Sequence, residues 1–232
     1  LSALARLAKG RVIVSTFASN ISRIAQLVNI GVDQGRKVVT FGRNMESNFE
    51  IARKLGYIHV DDKNVLSSKD LKNFPEEKQM IITTGSQGEP MSALSLISKG
   101  MHRAIKIKPS DTVIISASVI PGNEKTVSRI INDLFLQGAE VYYEGFGSVH
   151  VSGHGPRENL QMMLRMVKPK FFLPVHGEAR HLIHHARMAE EMGWDSENVI
   201  LARNGDVIEV SEDKSKIIDH VVQDSVFVDG NM

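Results

Sequence analysis

The chain contains no cysteine, which excludes disulfides, zinc ribbons and thiol nucleophiles and leaves any metal to histidine and carboxylate ligands. That absence fits a reducing, cytoplasmic setting. Charge of one sign is also lacking: 28 Lys and Arg face 27 Asp and Glu, a formal net charge of +1. Bulk charge therefore neither demands nor excludes a nucleic-acid partner, and local patches and backbone amides would have to meet a polyanion. No apolar run approaches the ~20 residues needed to span a bilayer, so no membrane partner is expected. The opening residues, LSALARLAKGR, carry neither a signal-peptide cleavage pattern nor an initiator Met, and the expectation is a piece of a longer protein. Several site signatures are missing too. Gly145 and Gly147 give G-x-G without the third glycine of a dinucleotide fingerprint, there is no Walker A lysine motif, and neither Ser86 nor Ser152 lies in G-x-S-x-G.

What remains is an ordinary globular composition, 42% hydrophobic and 24% charged over 232 residues. Short apolar runs alternate with amphipathic stretches. RVIVSTF (11–17), KVVTF (37–41), QMIITT (79–84), DTVIISAS (111–118) and AEVYY (139–143) read as strands. Between them, helices are expected from about 21 to 35, 45 to 55, 91 to 99 and 124 to 137, the first capped by Ser19 or Asn20. Strands apolar along their whole length, separated by helices, imply an α/β domain: a Rossmann-like, mostly parallel sheet covered on both faces. After about residue 156 the rhythm changes. A helix over 157–167, a strand over 170–175 and a helix over 178–192 lead to NVILA (198–202), and the Asn204-Gly205-Asp206 turn then predicts an antiparallel hairpin into VIEV (207–210). Such an α+β tail is short for a core of its own and is expected to be the incomplete part of a larger domain.

His154 in SGHG (152–155) and His176 in LPVHGE (173–178) are the most informative pair. Each follows a predicted strand and lies beside glycine, and imidazole both ligates metals and titrates near neutrality, so the pair suggests hydrolytic chemistry. Either one alone reads equally as an ordinary loop histidine. In an open α/β sheet, ligands bind beyond the carboxyl ends of the strands. Four loops leave such ends: 16–20 with Ser19, 83–90 with Ser86 and Gly88, 116–124, and 150–155 with His150, Val151, Ser152, Gly153 and His154. Their hydroxyls and uncrowded amides, three of them running into helix N-termini, suit phosphate, although each alone would serve as a turn or cap. His181, His184 and His185 share a helical face that could hold a metal, but with no carboxylate among them and Arg180 and Arg187 flanking, a solvated face or a subunit contact is the other reading. Met162, Met163 and Met166 read as core packing, and His102, Arg103, Lys106 and Lys108 as a basic edge or a plain solvated surface.

Taken together, FASN (17–20), FGRNME (41–46), TGSQGEP (84–90), IPGNE (120–124), HVSGHG (150–155), KPKFFLPVHGE (168–178) and VFVDG (226–230) resemble the ribonuclease J family, bacterial nucleases of the β-CASP branch of the metallo-β-lactamase superfamily. The resemblance runs in order over nearly the whole chain. It implies a β-CASP domain at 1–157 and, at 158–232, the returning segment of a metallo-β-lactamase domain whose N-terminal part is absent. It further implies His154 as general acid, 150–154 as the segment gripping the RNA phosphate, His176 as the last ligand of a two-zinc (or two-manganese) centre, and Asp229 as an acidic position beside a calcium ion. The family's H-x-H-x-D-H signature does not occur here. The implied protein is a cytoplasmic, metal-dependent 5′-to-3′ exoribonuclease with endonuclease activity, acting in RNA maturation and decay on 5′-monophosphorylated RNA, as a homo-oligomer or a complex with a paralogue. The piece itself is expected to be inactive. Two alternatives stay open: a weakly active, RNA-binding paralogue, and a phosphosugar-binding α/β domain resting on the 83–88 loop.

Overall fold

A computed structural model describes residues 1–145 and 153–224. The chain divides between Ser152 and Gly153 into two units. The expectations for His150, Val151, Ser152 and Asp229 lie outside the described residues.

In the first unit, β1 (Val12–Ser15), β2 (Lys37–Phe41), β3 (Gln79–Thr83), β4 (Thr112–Ile115) and β5 (Glu140–Tyr142) form one parallel sheet in the order β2-β3-β1-β4-β5. The strands are apolar throughout because both faces are covered. Val12, Val14, Val38, Met80, Ile82 and Ile114 pack on one face with Ile24, Leu27 and Val28 of α2 (Ile21–Asp33) and with Met45 and Phe49 of α3 (Arg43–Lys54). Their neighbours Ile13, Val39, Ile81, Val113, Ile115 and Val141 point the other way. They meet Leu94 and Ile97 of α4 (Ala93–Ser98) and Ile130 and Leu134 of α5 (Glu124–Leu136). Each such buried side chain contributes roughly 1.5–3 kcal/mol before conformational entropy is counted. The long connection after α3 changes faces. Val65 bridges Val38 at the outer edge of β2, Leu66 N–H donates to Val38 O at 2.7 Å, and Leu71 lands in the opposite core.

The predicted strands 11–17, 111–118 and 139–143 run longer than their ladders at both ends, 79–84 runs one residue past its ladder, and 37–41 coincides with β2. Arg11 and Asp111, outside β1 and β4, instead form a buried ion pair, with Nη2 to Oδ2 at 2.6 Å and Nε to Oδ1 at 2.9 Å. A helix not anticipated from the sequence, α1 (Ser2–Leu7), is tied to the sheet by Arg36. That buried guanidinium donates to the carbonyls of Ala5, Ala8, Gly10 and Gln79.

The second unit contains α6 (Arg157–Val167), α7 (Ala179–Glu191) and the antiparallel pair β6 (Asp206–Val210) and β7 (Ser215–His220). Three expectations are corrected. The 170–175 and 198–202 stretches are not ladder strands: they share one bridge, Phe172 with Val199, and Pro174 has no N–H to extend it. The hairpin turns at 211–214, where Ser211 N–H donates to Lys214 O, and not at Asn204-Gly205. Gly205 precedes β6 at φ 89°, so close to the end of β7 that a Cβ would lie 2.3 Å from Val221 O. Finally, Met162, Met163 and Met166 are exposed, Met166 by 75%. Of the helix α6 only Leu164 is buried, against Met188 and Ala189 of α7.

Candidate active site

Helix geometry brings His154 and His176 together. An 11-residue helix such as α6 rises about 16 Å at ~1.5 Å per residue. Lys168, left-handed at φ 46°, turns the chain, and the extended return at ~3.3 Å per residue needs only a few residues to come back to the level where α6 began. The two imidazoles end up stacked, centroids 5.5 Å apart and planes within 6° of parallel. His176 holds a left-handed backbone, φ 71°, followed by Gly177 at φ 121°. Such a conformation is costly for a residue with a Cβ, and its presence at an exposed imidazole marks a constrained loop. Gly177 is required by close approach as well, since a Cβ there would lie 3.1 Å from the His181 ring.

The other histidines of α7 go elsewhere. Nδ1 of His181 accepts the Glu178 N–H at 3.0 Å, capping the helix, and His185 packs edge-on against Phe172 at 4.9 Å. Burial pushes the His185 pKa below its ordinary value. Among the described residues no three His, Asp or Glu side chains converge as a metal group. His176 therefore fits as one ligand contributed to a centre, not as a centre by itself.

The first unit offers a second feature, a cleft of about 790 Å³ at the carboxyl ends of β1, β2 and β3. Ser19 lies at its exposed rim and Ser86, only 3% exposed, at its floor. Gly88, at φ 81°, is buried against α5, and a Cβ would lie 2.6 Å from Thr126 Cγ2. Gln87 ties the 83–90 and 116–124 loops together. Its Nε2 donates to Ser118 O at 2.9 Å while its Oε1 accepts the Ile120 N–H at 2.8 Å. Asn20 Oδ1 caps α2 through the Arg23 N–H, and Asn48 Nδ2 holds Ala18 O at 2.8 Å. Arg43 and Asn44, which open α3 directly after β2, also line the cleft. Sequence reasoning missed them as site residues, although a polar loop running from a strand end into a helix was the available signal.

The supposed basic edge is largely structural. His102 meets Phe41 edge-on, its Nδ1 accepts the N–H groups of Ala104 and Ile105, and Lys108 pairs with Glu76 at 2.7 Å. No described helix is long and apolar enough to cross a membrane.

A family profile described as "Ribonuclease J, beta-CASP domain" matches residues 9–134, and one described as "Zn-dependent metallo-hydrolase RNA specificity domain" matches 139–199. The chain is 45% identical over 222 residues to a ribonuclease J of Helicobacter pylori, covering 96% of this chain and 32% of that protein. It is 44% identical over 222 residues to ribonuclease J of Synechocystis, covering 96% and 35%. Against ribonuclease J2 of Bacillus subtilis it is 40% identical over 222 residues, covering 96% and 40%. The chain thus spans about a third to two fifths of the curated relatives it matches. Because the β-CASP match takes in more than half of its length, the chain belongs to the ribonuclease J family.

Proposed function

We propose that this chain is the β-CASP domain, 1–157, and the returning segment, 158–232, of a metal-dependent ribonuclease that hydrolyses RNA phosphodiesters in RNA maturation and decay. The observation that carries the reading is the stacked His154 and His176 pair, held by a strained loop within a unit that the metallo-hydrolase profile overlaps. His176 would be one ligand of a two-metal centre, with zinc or manganese as the ions. With His176 as one of its ligands, a divalent ion would supply Lewis acidity and a water activated for attack on the phosphodiester. His154 donates a ring proton to the departing ribose oxygen, which leaves as the 3′-hydroxyl of the released nucleotide, while water supplies the new oxygen of the 5′-phosphate kept by the shortened RNA. His150, Val151, Ser152 and Gly153 hold the scissile or terminal phosphate through backbone amides and the serine hydroxyl. Ser19, Ser86 and Gly88 belong to the strand-end loops that receive the RNA, and Asp229 would sit beside a calcium ion.

In this reading the whole protein works in the cytoplasm, as a homo-oligomer or with a paralogue. It removes nucleotides from the 5′ end and also cuts internally, and it prefers 5′-monophosphorylated RNA. The 232 residues alone, with a single ligand, should be inactive even with added zinc or manganese. The test is the decay of end-labelled RNA by the whole protein with each ion. Faster removal of 5′ nucleotides from monophosphorylated than from triphosphorylated RNA is expected. Equal rates on the two ends would count against the 5′-end reading, and no metal-dependent cleavage would count against the whole assignment.

A further inference from the structure

We propose that Arg43 binds a phosphate of single-stranded RNA in the cleft at the carboxyl ends of β1, β2 and β3, with the Ser86 hydroxyl as a second donor at the cleft floor. The inference rests on the RNA-cleaving reading above and adds to it a cation that the reading did not contain. Arg43 is exposed, lines the cleft and makes no hydrogen bond or ion pair with any described residue. Arg11, Arg36, Arg53 and Arg157, in contrast, are engaged by carboxylates or carbonyls. A free guanidinium, with donors set in a planar fork, suits a phosphate.

Three further observations place the ligand in the cleft. Ser86 is 3% exposed and lines it, and its hydroxyl makes no hydrogen bond with any described residue, so it is available to donate to a ligand oxygen. Arg43 also begins a 12-residue helix, where the Glu46 carboxylate already accepts the Gly42 N–H at 3.2 Å and the next amides remain for a ligand oxygen. Moreover, the walls are close-packed. A Cβ at Gly42 would lie 2.5 Å from Thr84 Oγ1, and one at Gly85 2.3 Å from Ser92 Oγ, so the loops hold their positions before a ligand arrives. Phe17 and Met91 complete the lining with apolar surface on which a ribose or base can rest. The volume of about 790 Å³ is that of a small-ligand site and accommodates one nucleotide.

The phosphate is either an internal phosphodiester or the 5′-terminal monoester, and the test separates them. Fluorescence anisotropy of the 232-residue chain would be measured with 5′-monophosphorylated and 5′-hydroxyl single-stranded RNA over a salt series. Arg43→Ala should weaken binding roughly tenfold and flatten the plot of log K against log salt by about 0.7, the slope of one phosphate contact on a single strand. Arg43→Lys should keep the slope, and the unfolding midpoint should not move, since the side chain touches nothing that holds the fold. Equal losses on both RNAs assign an internal phosphodiester, and a loss confined to the monophosphorylated RNA assigns the terminus. An Arg43→Ala chain that binds with unchanged affinity and salt slope, while the unaltered chain binds RNA, overturns the proposal and leaves the RNA reading standing. No binding by the unaltered chain at low salt would refute both.

Discussion

Replacing Gln87 with Ala should loosen the link between two cleft loops and lower the stability of the first unit by about 1–3 kcal/mol. The magnitude follows from two hydrogen bonds. Nε2 to Ser118 O at 2.9 Å and Ile120 N to Oε1 at 2.8 Å are each worth about 0.5–1.5 kcal/mol net. A third approach, Asn123 Nδ2 to Oε1 at 3.4 Å, is too long to add much. Gln87 is only 6% exposed, so water cannot fully replace the lost partners. With a urea m-value of about 2 kcal/mol per molar, the midpoint should fall by about 0.5–1.5 M. Hydrogen exchange gives a local reading, because the Ile120 amide loses its acceptor and should exchange faster. Gln87→Glu should be at least as harmful at neutral pH: a carboxylate still accepts from Ile120 but presents an oxygen instead of a donor to Ser118 O. An unchanged midpoint together with unchanged Ile120 protection would show that the link between these loops is not made by Gln87.

Arg36→Met should cost about 3 kcal/mol and speed exchange in α1, since four carbonyls lose a buried charged donor. Burial holds the Arg36 pKa below its ordinary value, and because an arginine guanidinium stays charged in proteins the loss should not vary between pH 6 and 8. His102 supplies a pH dependence. Burial, with Lys106 adding to it, depresses its pKa below the ordinary 6.5, and its Nδ1 accepts two amides only while unprotonated. The unfolded chain therefore takes up the proton first, and the stability contributed is full above about pH 6.5 and lost as the pH falls through the folded value. Denaturation midpoints across that range should decline on acidification, less steeply in His102→Gln. Gly88→Ala should destabilise by about 1–3 kcal/mol, because φ 81° and the Thr126 contact both oppose a Cβ. A thermal midpoint equal to that of the unaltered chain would contradict this.

The five-stranded sheet is legible in the sequence because both of its faces are covered, which leaves Ile13, Val39, Ile81 and Val113 as unbroken apolar runs with their neighbours. The second unit is less so. β7 carries only Ile217 and Ile218 among charged residues, both half-exposed, so nothing in its pattern announces a strand, and Asn204-Gly205 points to the wrong partner. Amphipathic spacing alone cannot tell that Met162, Met163 and Met166 face no described core, because the pattern gives a helix face and not what covers it. The His154 and His176 pair could be found from glycine context, since tight loops constrain where an imidazole goes. Arg43 could not be singled out among 28 basic residues, because its significance lies in lining the cleft while pairing with no described residue, which is a property of three dimensions.

The division of labour between the two histidines is the central claim, and parallel kinetics and metal analysis of His154→Ala and His176→Ala in the whole protein test it most directly. His154→Ala should keep its metal and its RNA affinity while kcat falls about 10²–10⁴-fold, the usual contribution of a general acid. His176→Ala should lose bound metal as well as rate. If both variants retained the full metal content and lost rate equally, or if His154→Ala were impaired mainly in KM, the assignment of proton donor and metal ligand to this stacked pair would be wrong.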